Sequence, residues 1–359
     1  MILDQLQCPV VLAPLAGGPS TPELAAAVSN AGGLGFVATG YLKAADSAAR
    51  LQATRQLTAR PLGVNLFGRG APADPAAYRA YVEKFTAWAD RHETHAGEPR
   101  YDDDDWDAKI ELLASSPPEV VSFTFGCPPA EVVGLLREAG SEVWVTITSP
   151  DEAREAAAVG ADVLVVQGGE AGGHRGSFQD RLDLPAYGLL PLLQLVGAAV
   201  DLPLVASGGI MTGRALAAVL CAGAQAAQIG TAFMLALEAG TNPAHRRALT
   251  APGETVLTRA FTGRLARGIR NEFIDEHEPR APIAYPELHY LTSPMRQRAR
   301  ERGDTSQINL WAGEAHELAV ERPAAEVVGE LTSSALAALT DVLRTPWAKA
   351  HGAISPGMP

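Results

Sequence analysis

Cysteine is scarce in this chain, and the three cysteines lie far apart, at Cys8, Cys127 and Cys221. Their spacing fits neither a disulfide framework nor a metal site, so we expect a reducing, cytoplasmic setting. The chain opens without a basic segment followed by an apolar one, and it has no apolar run of about eighteen residues. We therefore expect neither a secretory signal peptide nor a membrane-spanning helix.

Basic residues are also fewer than acidic ones. Lysine and arginine number 29 against 41 acidic residues, which gives a formal net charge of −12. This excess argues against a nucleic-acid or anionic-membrane partner, whereas a small-molecule substrate remains compatible with a locally basic site. The length of 359 residues and the hydrophobic fraction of 47% suit one barrel-sized domain or two ordinary ones.

Short apolar runs alternate with helix-forming segments along most of the chain. The runs are continuous rather than alternating, which is typical of parallel strands covered on both faces. Eight such runs predict a (β/α)8 TIM barrel of the α/β class. The alternative, a doubly wound sheet, lacks the expected G-x-G-x-x-G turn after the first strand. The runs span residues 9–14, 33–39, 61–67, 119–126, 142–149, 161–168, 202–209 and 226–233.

Two segments exceed a minimal barrel. We assign residues 1–70 and 118–237 to the barrel, and 71–117 to an insertion after the third strand. Residues 238–322 predict a small, mostly helical subdomain over the mouth, and 323–346 a closing helix. The acidic run at 102–105 is interpreted as a solvated helix start rather than a metal site, since carboxylates favour the positive end of a helix dipole.

The ends of the seventh and eighth runs predict an anion site. In this fold the active site lies at the carboxyl ends of the strands, and the loops after strands seven and eight commonly bind phosphate. The seventh run ends in "SGGI" and the eighth in "QIGTAF". Both offer free backbone N–H groups near helix starts, and Thr231 adds a hydroxyl. These segments therefore suit a phosphorylated ligand, even on an acidic protein.

The sixth run leads into "QGGEAGGHRGSF", which presents His174 after four glycines. Fixing glycine costs conformational entropy, so the stretch is interpreted as backbone that passes close to a flat ring system. An imidazole at this mouth can act as a general base, a general acid or a hydrogen-bond donor near neutral pH. We therefore expect His174 to be the catalytic residue.

Six ordered motifs resemble the FMN-dependent nitronate monooxygenases, formerly called 2-nitropropane dioxygenases. They are "LAPLAGGPSTPELAAAVSNAGGLGFVATGYL", "GVNLF", "VVSFTFG", "QGGEAGGHRGSF", "LPLVASGGI" and "AQIGTAF". The resemblance covers about residues 8–235 and continues through "TRAFTGRLARGI" and "LWAGEA". It implies a barrel oxidoreductase with non-covalent FMN. The residues that it implies for the cofactor are Ala13, Pro14, Leu15, Asn65, Gln167, Gly172, Gly173, Ser207, Gly208, Gly209, Gln228, Gly230 and Thr231.

The resemblance also implies a reaction. Alkyl nitronates or nitroalkanes would be oxidised with O2 to a carbonyl compound and nitrite, with no metal, by a monomer or homodimer. His174 falls on the family's catalytic histidine and would bind the nitro oxygens or remove the α-proton of a neutral nitroalkane. Tyr285 and Tyr290 are the tyrosines expected at the substrate.

Three positions depart from the family pattern. Thr124 stands where a histidine is common, and Leu15 replaces a methionine of similar volume. A lysine expected near the tyrosines is absent, and Ser293 stands in that neighbourhood. We expect the missing positive charge to weaken the binding of an anionic nitronate such as propionate 3-nitronate.

Three alternatives stay open at this stage. The first is an FMN-dependent NAD(P)H oxidoreductase of the same fold, of the enoyl-acyl-carrier-protein reductase or quinone reductase type. The second is a colourless isomerase or lyase that acts on a phosphorylated metabolite. The third is a catalytically silent FMN-binding protein.

Overall fold

A ring of parallel strands forms the centre of the molecule. The computed structural model describes residues 1–350, apart from the side chain of Lys349. Its strands are β1 (Val10–Leu12), β2 (Gly35–Ala38), β3 (Leu62–Phe67), β4 (Val120–Thr124), β5 (Glu142–Ile147), β6 (Val163–Gln167), β7 (Gly173–His174), β8 (Leu204–Ser207), β9 (Ala226–Ile229), β10 (Thr255–Thr258) and β11 (Ala266–Ile269).

Eight of these strands confirm the predicted (β/α)8 barrel. They pair in parallel in the order β1-β9-β8-β6-β5-β4-β3-β2. A bridge between Val11 and Leu34 joins β1 to β2 and completes the ring. Each of the eight predicted apolar runs contains one barrel strand.

The helices surround this ring and build a cap over one end. They are α1 (Pro22–Asn30), α2 (Ala44–Leu57), α3 (Pro75–Arg91), α4 (Trp106–Ser115), α5 (Ala130–Glu138), α6 (Pro150–Ala158), α7 (Leu189–Ala199), α8 (Gly213–Cys221), α9 (Pro243–Thr250), α10 (Glu272–His277), α11 (Glu287–Arg302), α12 (Ala324–Leu343) and α13 (Pro346–Ala350). Side-chain caps begin three of the barrel helices: Thr21 accepts from Leu24 N–H, Ser149 from Glu152 N–H, and Thr212 from Ala215 N–H.

Large apolar side chains close the amino end of the barrel. Phe36 and Trp144 are fully buried inside it, with ring centroids 5.9 Å apart, and β-branched residues fill the same layer. Gly63 makes room for them, because a Cβ at that position would lie 2.4 Å from the Phe36 ring. Side chains therefore fill the interior at this end of the barrel.

The segment 71–117 divides between two cores. Trp106, Ile110 and Leu113 of α4 belong to the core between the barrel strands and their helices. The α4 helix packs beside α2 and α5, where the third barrel helix belongs. By contrast, Phe85 and Trp88 of α3 pack into a second core with α10 and α11. Only the part of this segment around α3 therefore serves as an insertion.

The predicted solvated helix start at the acidic run 102–105 holds only in part, because the side chains of Asp103 and Asp105 are 38% and 30% exposed whereas that of Asp104 is largely buried. The α4 helix does begin directly after it, at Trp106. The Asp104 side chain is only 17% exposed, and its carboxylate lies 2.7 Å from Lys109 Nζ. It also accepts a hydrogen bond from the backbone N–H of Tyr41 at 2.8 Å. Burial raises the pKa of Asp104 to about 6, because desolvation outweighs the attraction of the lysine.

The cap is an insertion between the last barrel strand and α12. Besides α9, α10 and α11 it contains the hairpin of β10 and β11. The β11 strand pairs antiparallel with β7, so the predicted helical subdomain also holds a three-stranded sheet. The α12 helix returns to the barrel and packs against α8 and α1, which places it as the eighth barrel helix.

Candidate active site at the carboxyl end of the barrel

A cavity of about 670 Å³ lies between the strand ends and the cap. It is lined by His174 and by every residue predicted for the cofactor. These are Ala13, Pro14, Leu15, Asn65, Gln167, Gly172, Gly173, Ser207, Gly208, Gly209, Gln228, Gly230 and Thr231. The fold therefore brings together residues that are up to 218 positions apart (13 to 231) in the sequence.

The wall formed by the strand ends is polar but uncharged. We call the side chains of Asn65, Thr124, Thr146, Gln167 and Gln228 the floor. Asn65 Nδ2 donates to Ser122 Oγ at 2.9 Å and to Thr124 Oγ1 at 3.1 Å. Thr124, which stands where the resemblance expects a histidine, thus serves as an acceptor that orients the Asn65 amide.

Gln167 joins the floor to the loop that carries the histidine. Its Nε2 donates to the carbonyl of His174 at 3.0 Å, and its Oε1 accepts from Gly176 N–H at 2.8 Å. Both ends of one side-chain amide therefore hold the loop that returns over the cavity. This contact fixes where the β7 backbone lies relative to β6.

Backbone N–H groups form a cradle at one end of the cavity. Gly208 and Gly209 have φ of +117° and +67°, a left-handed conformation that glycine adopts at low cost. Within residues 1–350, no acceptor pairs with the N–H groups of Gly208, Gly209, Gly230 or Thr231. The Thr231 hydroxyl accepts from Gly313 N–H at 3.1 Å. Unpaired N–H groups at such turns are typical of anion sites.

Most glycines before His174 pack closely against protein on the side where a Cβ would stand, and the predicted contact with a flat ring stays a prediction. A Cβ on Gly168 would lie 2.3 Å from the Glu170 carboxylate. A Cβ on Gly172 would lie 2.4 Å from the backbone N of Gly313. Only Gly173, with φ of +76°, would place a Cβ where no atom lies within 4 Å. Close packing against the cap explains most of this glycine content.

The cap supplies the opposite wall. We call His174, Thr262, His289, Arg296 and Trp311, all of which line the cavity, the roof. His174 Nε2 lies 2.9 Å from Thr262 Oγ1, and its ring centroid lies 5.3 Å from that of Trp311. Burial, with smaller contributions from two arginines, lowers the pKa of His174 to about 3. The imidazole is therefore neutral throughout the physiological range of pH.

The two predicted substrate tyrosines lie behind the cavity lining. The Tyr285 ring centroid is 5.6 Å from that of His174, and its hydroxyl donates to Tyr41 Oη at 3.1 Å. Tyr290 lies away from the cavity, and its hydroxyl donates to the Asp102 carboxylate at 2.9 Å. Neither tyrosine belongs to the residues that line the cavity.

Sequence reasoning missed several lining residues. Tyr41 follows the second apolar run, and its ring stacks on His289 with centroids 4.1 Å apart and planes 6° apart. Its place at the carboxyl end of β2 is a signal that could have identified it. Arg296 and Arg300 also line the cavity. Their spacing of four residues puts them on one face of α11, but only if the helix boundaries are known.

Residues 1–350 contain neither a candidate membrane span nor a candidate metal cluster. No helix in that range is long and apolar enough to cross a bilayer. Within the same range, no group of three or more His, Cys, Asp or Glu side chains is placed to hold a metal ion.

The chain is similar to known proteins over nearly its whole length. The family model described as "Nitronate monooxygenase" matches residues 2–334. The nitronate monooxygenase of Pseudomonas aeruginosa is 40% identical over 336 residues, which cover 91% of this chain and 95% of that protein. A probable nitronate monooxygenase of Staphylococcus aureus is 35% identical over 337 residues, 91% of this chain and 94% of that protein.

Solved structures show the same fold. A nitroalkane oxidase from Streptomyces ansochromogenes has 47% identity and a TM-score of 0.93, and the match covers 95% of this chain and 99% of that one. FabK from Thermotoga maritima has 26% identity and a TM-score of 0.74, with 95% and 96% covered.

Proposed function

The chain belongs to the nitronate monooxygenase family, and from that membership we propose an FMN-dependent enzyme that oxidises alkyl nitronates with O2. The products would be a carbonyl compound and nitrite. Nitronate oxidation in general follows from the family and from the similar nitroalkane oxidase. The observation that supports the finer proposal best is a neutral His174 in the roof of a cavity whose end is a cradle of unpaired N–H groups.

The residues present fit FMN. Its phosphate is an anion, and the unpaired backbone N–H groups of Gly208, Gly209, Gly230 and Thr231 suit it without a lysine. Its ring system is flat and bears uncharged hydrogen-bonding groups, which match the amides and hydroxyls of the floor. We assign the ring to the floor and to the segment 13–15, and the phosphate to the cradle. When bound, FMN supplies the electron transfer and the reaction with O2.

His174 is assigned the contact with the substrate. The Thr262 hydroxyl lies 3.3 Å from the carbonyl of Arg264, which can only accept, and we assign the hydroxyl proton to this contact. Thr262 Oγ1 can then accept the proton of His174 Nε2–H. This tautomer leaves the lone pair on Nδ1, which bonds to no other described residue. With a neutral nitroalkane, Nδ1 is the atom that takes the α-proton.

The test is an absorbance spectrum of the purified protein, followed by anaerobic mixing with propyl-2-nitronate and, separately, with NADH. We expect a flavin spectrum that bleaches or turns to semiquinone with the nitronate alone. Bleaching by NADH alone would instead indicate an FMN-dependent NAD(P)H oxidoreductase. A protein that stays colourless after incubation with FMN would contradict both. A cytoplasmic location and a monomeric or homodimeric state remain predictions.

A further inference from the structure

We propose that Arg296 and Arg300 form an anion subsite in the cavity, which binds the oxygens of the substrate and selects the anionic nitronate over the neutral nitroalkane. This inference rests on the proposed function and deepens it. Sequence reasoning expected positive charge to be missing here, because Ser293 replaces a lysine of the family pattern. The structure supplies cationic side chains within the next two turns of the same helix.

The two arginines line the cavity from one face of α11. They are four residues apart, so they stand one turn above each other along the helix. Arg296 is only 3% exposed, and Arg300 is half-buried. Arg296 therefore lies in the roof with His174, His289 and Trp311. Arg300 lines the cavity one helical turn further along α11.

No carboxylate neutralises either arginine. Arg296 Nε donates to Thr292 Oγ1 at 3.0 Å, and an Nη donates to the carbonyl of His289 at 2.7 Å. Arg300 donates to the side-chain oxygen of Asn309 at 2.6 Å. These acceptors are all uncharged. Among residues 1–350, no acidic oxygen lies within 4.0 Å of either guanidinium group.

Other buried arginines of the cap are satisfied differently. Arg259 is paired with Asp180 at 2.7 Å. Arg264 donates to the carbonyls of Arg175 and Ser177 and lies over the Phe125 ring at 4.2 Å, outside the cavity lining. Arg296 and Arg300 differ from both because they combine missing counter-charge with access to the cavity.

A buried guanidinium without a counter-ion is costly, and an entering anion removes that cost. Desolvation, with Arg300 as the next cause, lowers the pKa of Arg296 to about 9, so the group still carries its charge at neutral pH. A nitronate presents two oxygens in one plane, and a guanidinium is the side chain that matches such a pair. A neutral nitroalkane gains much less from the same contact.

The deciding variants are Arg296→Met and Arg300→Met, with Arg296→Lys to retain charge and Arg302→Met as the matched control. Arg302 is exposed on the same helix, so its removal changes the net charge equally without touching the cavity. For Arg296→Met we expect kcat/KM for ethylnitronate to fall by about 100-fold, mainly through KM, since charged hydrogen bonds are the strong ones. The value for nitroethane should change by less than about fivefold, and Arg296→Lys should recover part of the loss.

A titration with sodium nitrate, which shares the planar oxyanion, tests the subsite without turnover. It is run calorimetrically with FMN present, so that the cradle is filled. We expect nitrate to compete with ethylnitronate and to bind at least about tenfold more weakly to Arg296→Met and Arg300→Met than to the control. Equal nitrate binding by Arg296→Met, Arg300→Met and the Arg302→Met control would overturn the subsite.

The proposed function and the anion subsite can be disproved separately. A wild-type protein that binds nitrate through these arginines but never oxidises a nitronate would disprove the proposed function and leave the anion subsite standing. Equal losses of kcat/KM for nitronate and nitroethane in both methionine variants would contradict selection of the anion. If circular dichroism shows that Arg296→Met does not fold, Arg300→Met and Arg296→Lys decide the same question.

Discussion

His174 and Thr262 are 88 residues apart in the chain and are joined by a contact of 2.9 Å between Nε2 and Oγ1. The first belongs to the loop after a barrel strand, and the second to the turn between β10 and β11 of the cap. Thr262 is almost fully buried, and its hydroxyl also reaches the carbonyl of Arg264. With the proton assignment proposed above, the cap fixes the tautomer of His174 that carries its proton on Nε2.

Thr262→Val should lower kcat for nitroethane by up to about tenfold, which corresponds to the loss of one ordinary hydrogen bond of about 0.5–1.5 kcal/mol. Valine has the same shape but cannot accept from Nε2–H, so the tautomer is no longer fixed. Steady-state kinetics with nitroethane measure the effect. Thr262→Ser, which keeps the hydroxyl, should restore most of the rate; a serine variant as slow as the valine variant would contradict the assignment.

His174→Ala should retain FMN and lose turnover by about 10²–10⁴-fold, the range for a positioned acid or base. Flavin absorbance per protein and the initial rate of nitrite release check the two halves of this prediction. His95→Ala is the control, because His95 is exposed outside the cavity. A turnover equal to that of the control would remove His174 from the mechanism.

The pH dependence should lack an acidic limb caused by His174. Burial lowers its pKa from 6.5 to about 3, so the proton-accepting neutral form persists at every pH above that value. We expect kcat/KM for nitroethane to show no histidine inflection between pH 5 and 8. An inflection near pH 6 has another source, since burial raises the pKa of Asp104 to about 6. Such an inflection should disappear in Asp104→Asn; its persistence there would contradict a neutral His174.

Ser207→Asp should abolish FMN binding. Ser207 lines the cavity at the start of the cradle, and a carboxylate there faces the phosphate with a like charge, which costs several kcal/mol. The expected result is colourless protein and at least about 100-fold weaker FMN binding by fluorescence titration. Ser207→Asn, of the same size without the charge, should stay yellow. Stoichiometric FMN in the aspartate variant would place the phosphate elsewhere.

Lys109→Met should destabilise the fold by about 3–5 kcal/mol, the usual effect of removing one partner of a buried ion pair. Lys109 is 1% exposed, and its Nζ binds Asp104 at 2.7 Å and the carbonyl of Thr39 at 2.9 Å. Urea unfolding measures the loss. Lys84→Met, at an exposed position of α3, should change the free energy of unfolding by no more than about 0.5 kcal/mol. Equal effects of the two substitutions would show that the pair contributes little.

The barrel was predictable because its signal is local. Strands such as β6, "VLVVQ", are buried on both faces and therefore appear as continuous apolar runs. The site at the strand ends follows from the fold itself, which is why Asn65, Gln167 and Gly230 were found. Asn65 lies in the second half of the third run, Gln167 is the last residue of β6, and Gly230 directly follows β9.

The division of 71–117 was not predictable from local pattern. Both α3 and α4 are amphipathic helices, and only their packing partners show that one belongs to the cap and the other to the barrel. The contact of Gly172 with the cap was not predictable for a similar reason. A glycine signals that something comes close, but the sequence does not say that the neighbour is Gly313 rather than a ligand.

Arg296 was missed because its sequence context, "MRQRARER", looks like an exposed basic helix face. Arg302 in the same stretch is indeed exposed, whereas Arg296 faces inward. The difference depends on which face of α11 each arginine occupies and on which parts of the protein cover that face. The charge pattern contains neither piece of information.

The pairing of β7 with β11 has a consequence for how such proteins can diversify. Because two backbone strands from separate parts of the chain share one ladder, the histidine loop and the cap form one structural module. A chimera that exchanges residues 238–322 with those of a relative should therefore also exchange residues 168–181, or it will separate His174 from Thr262. The two segments should therefore be exchanged as a pair, although they are far apart in the chain.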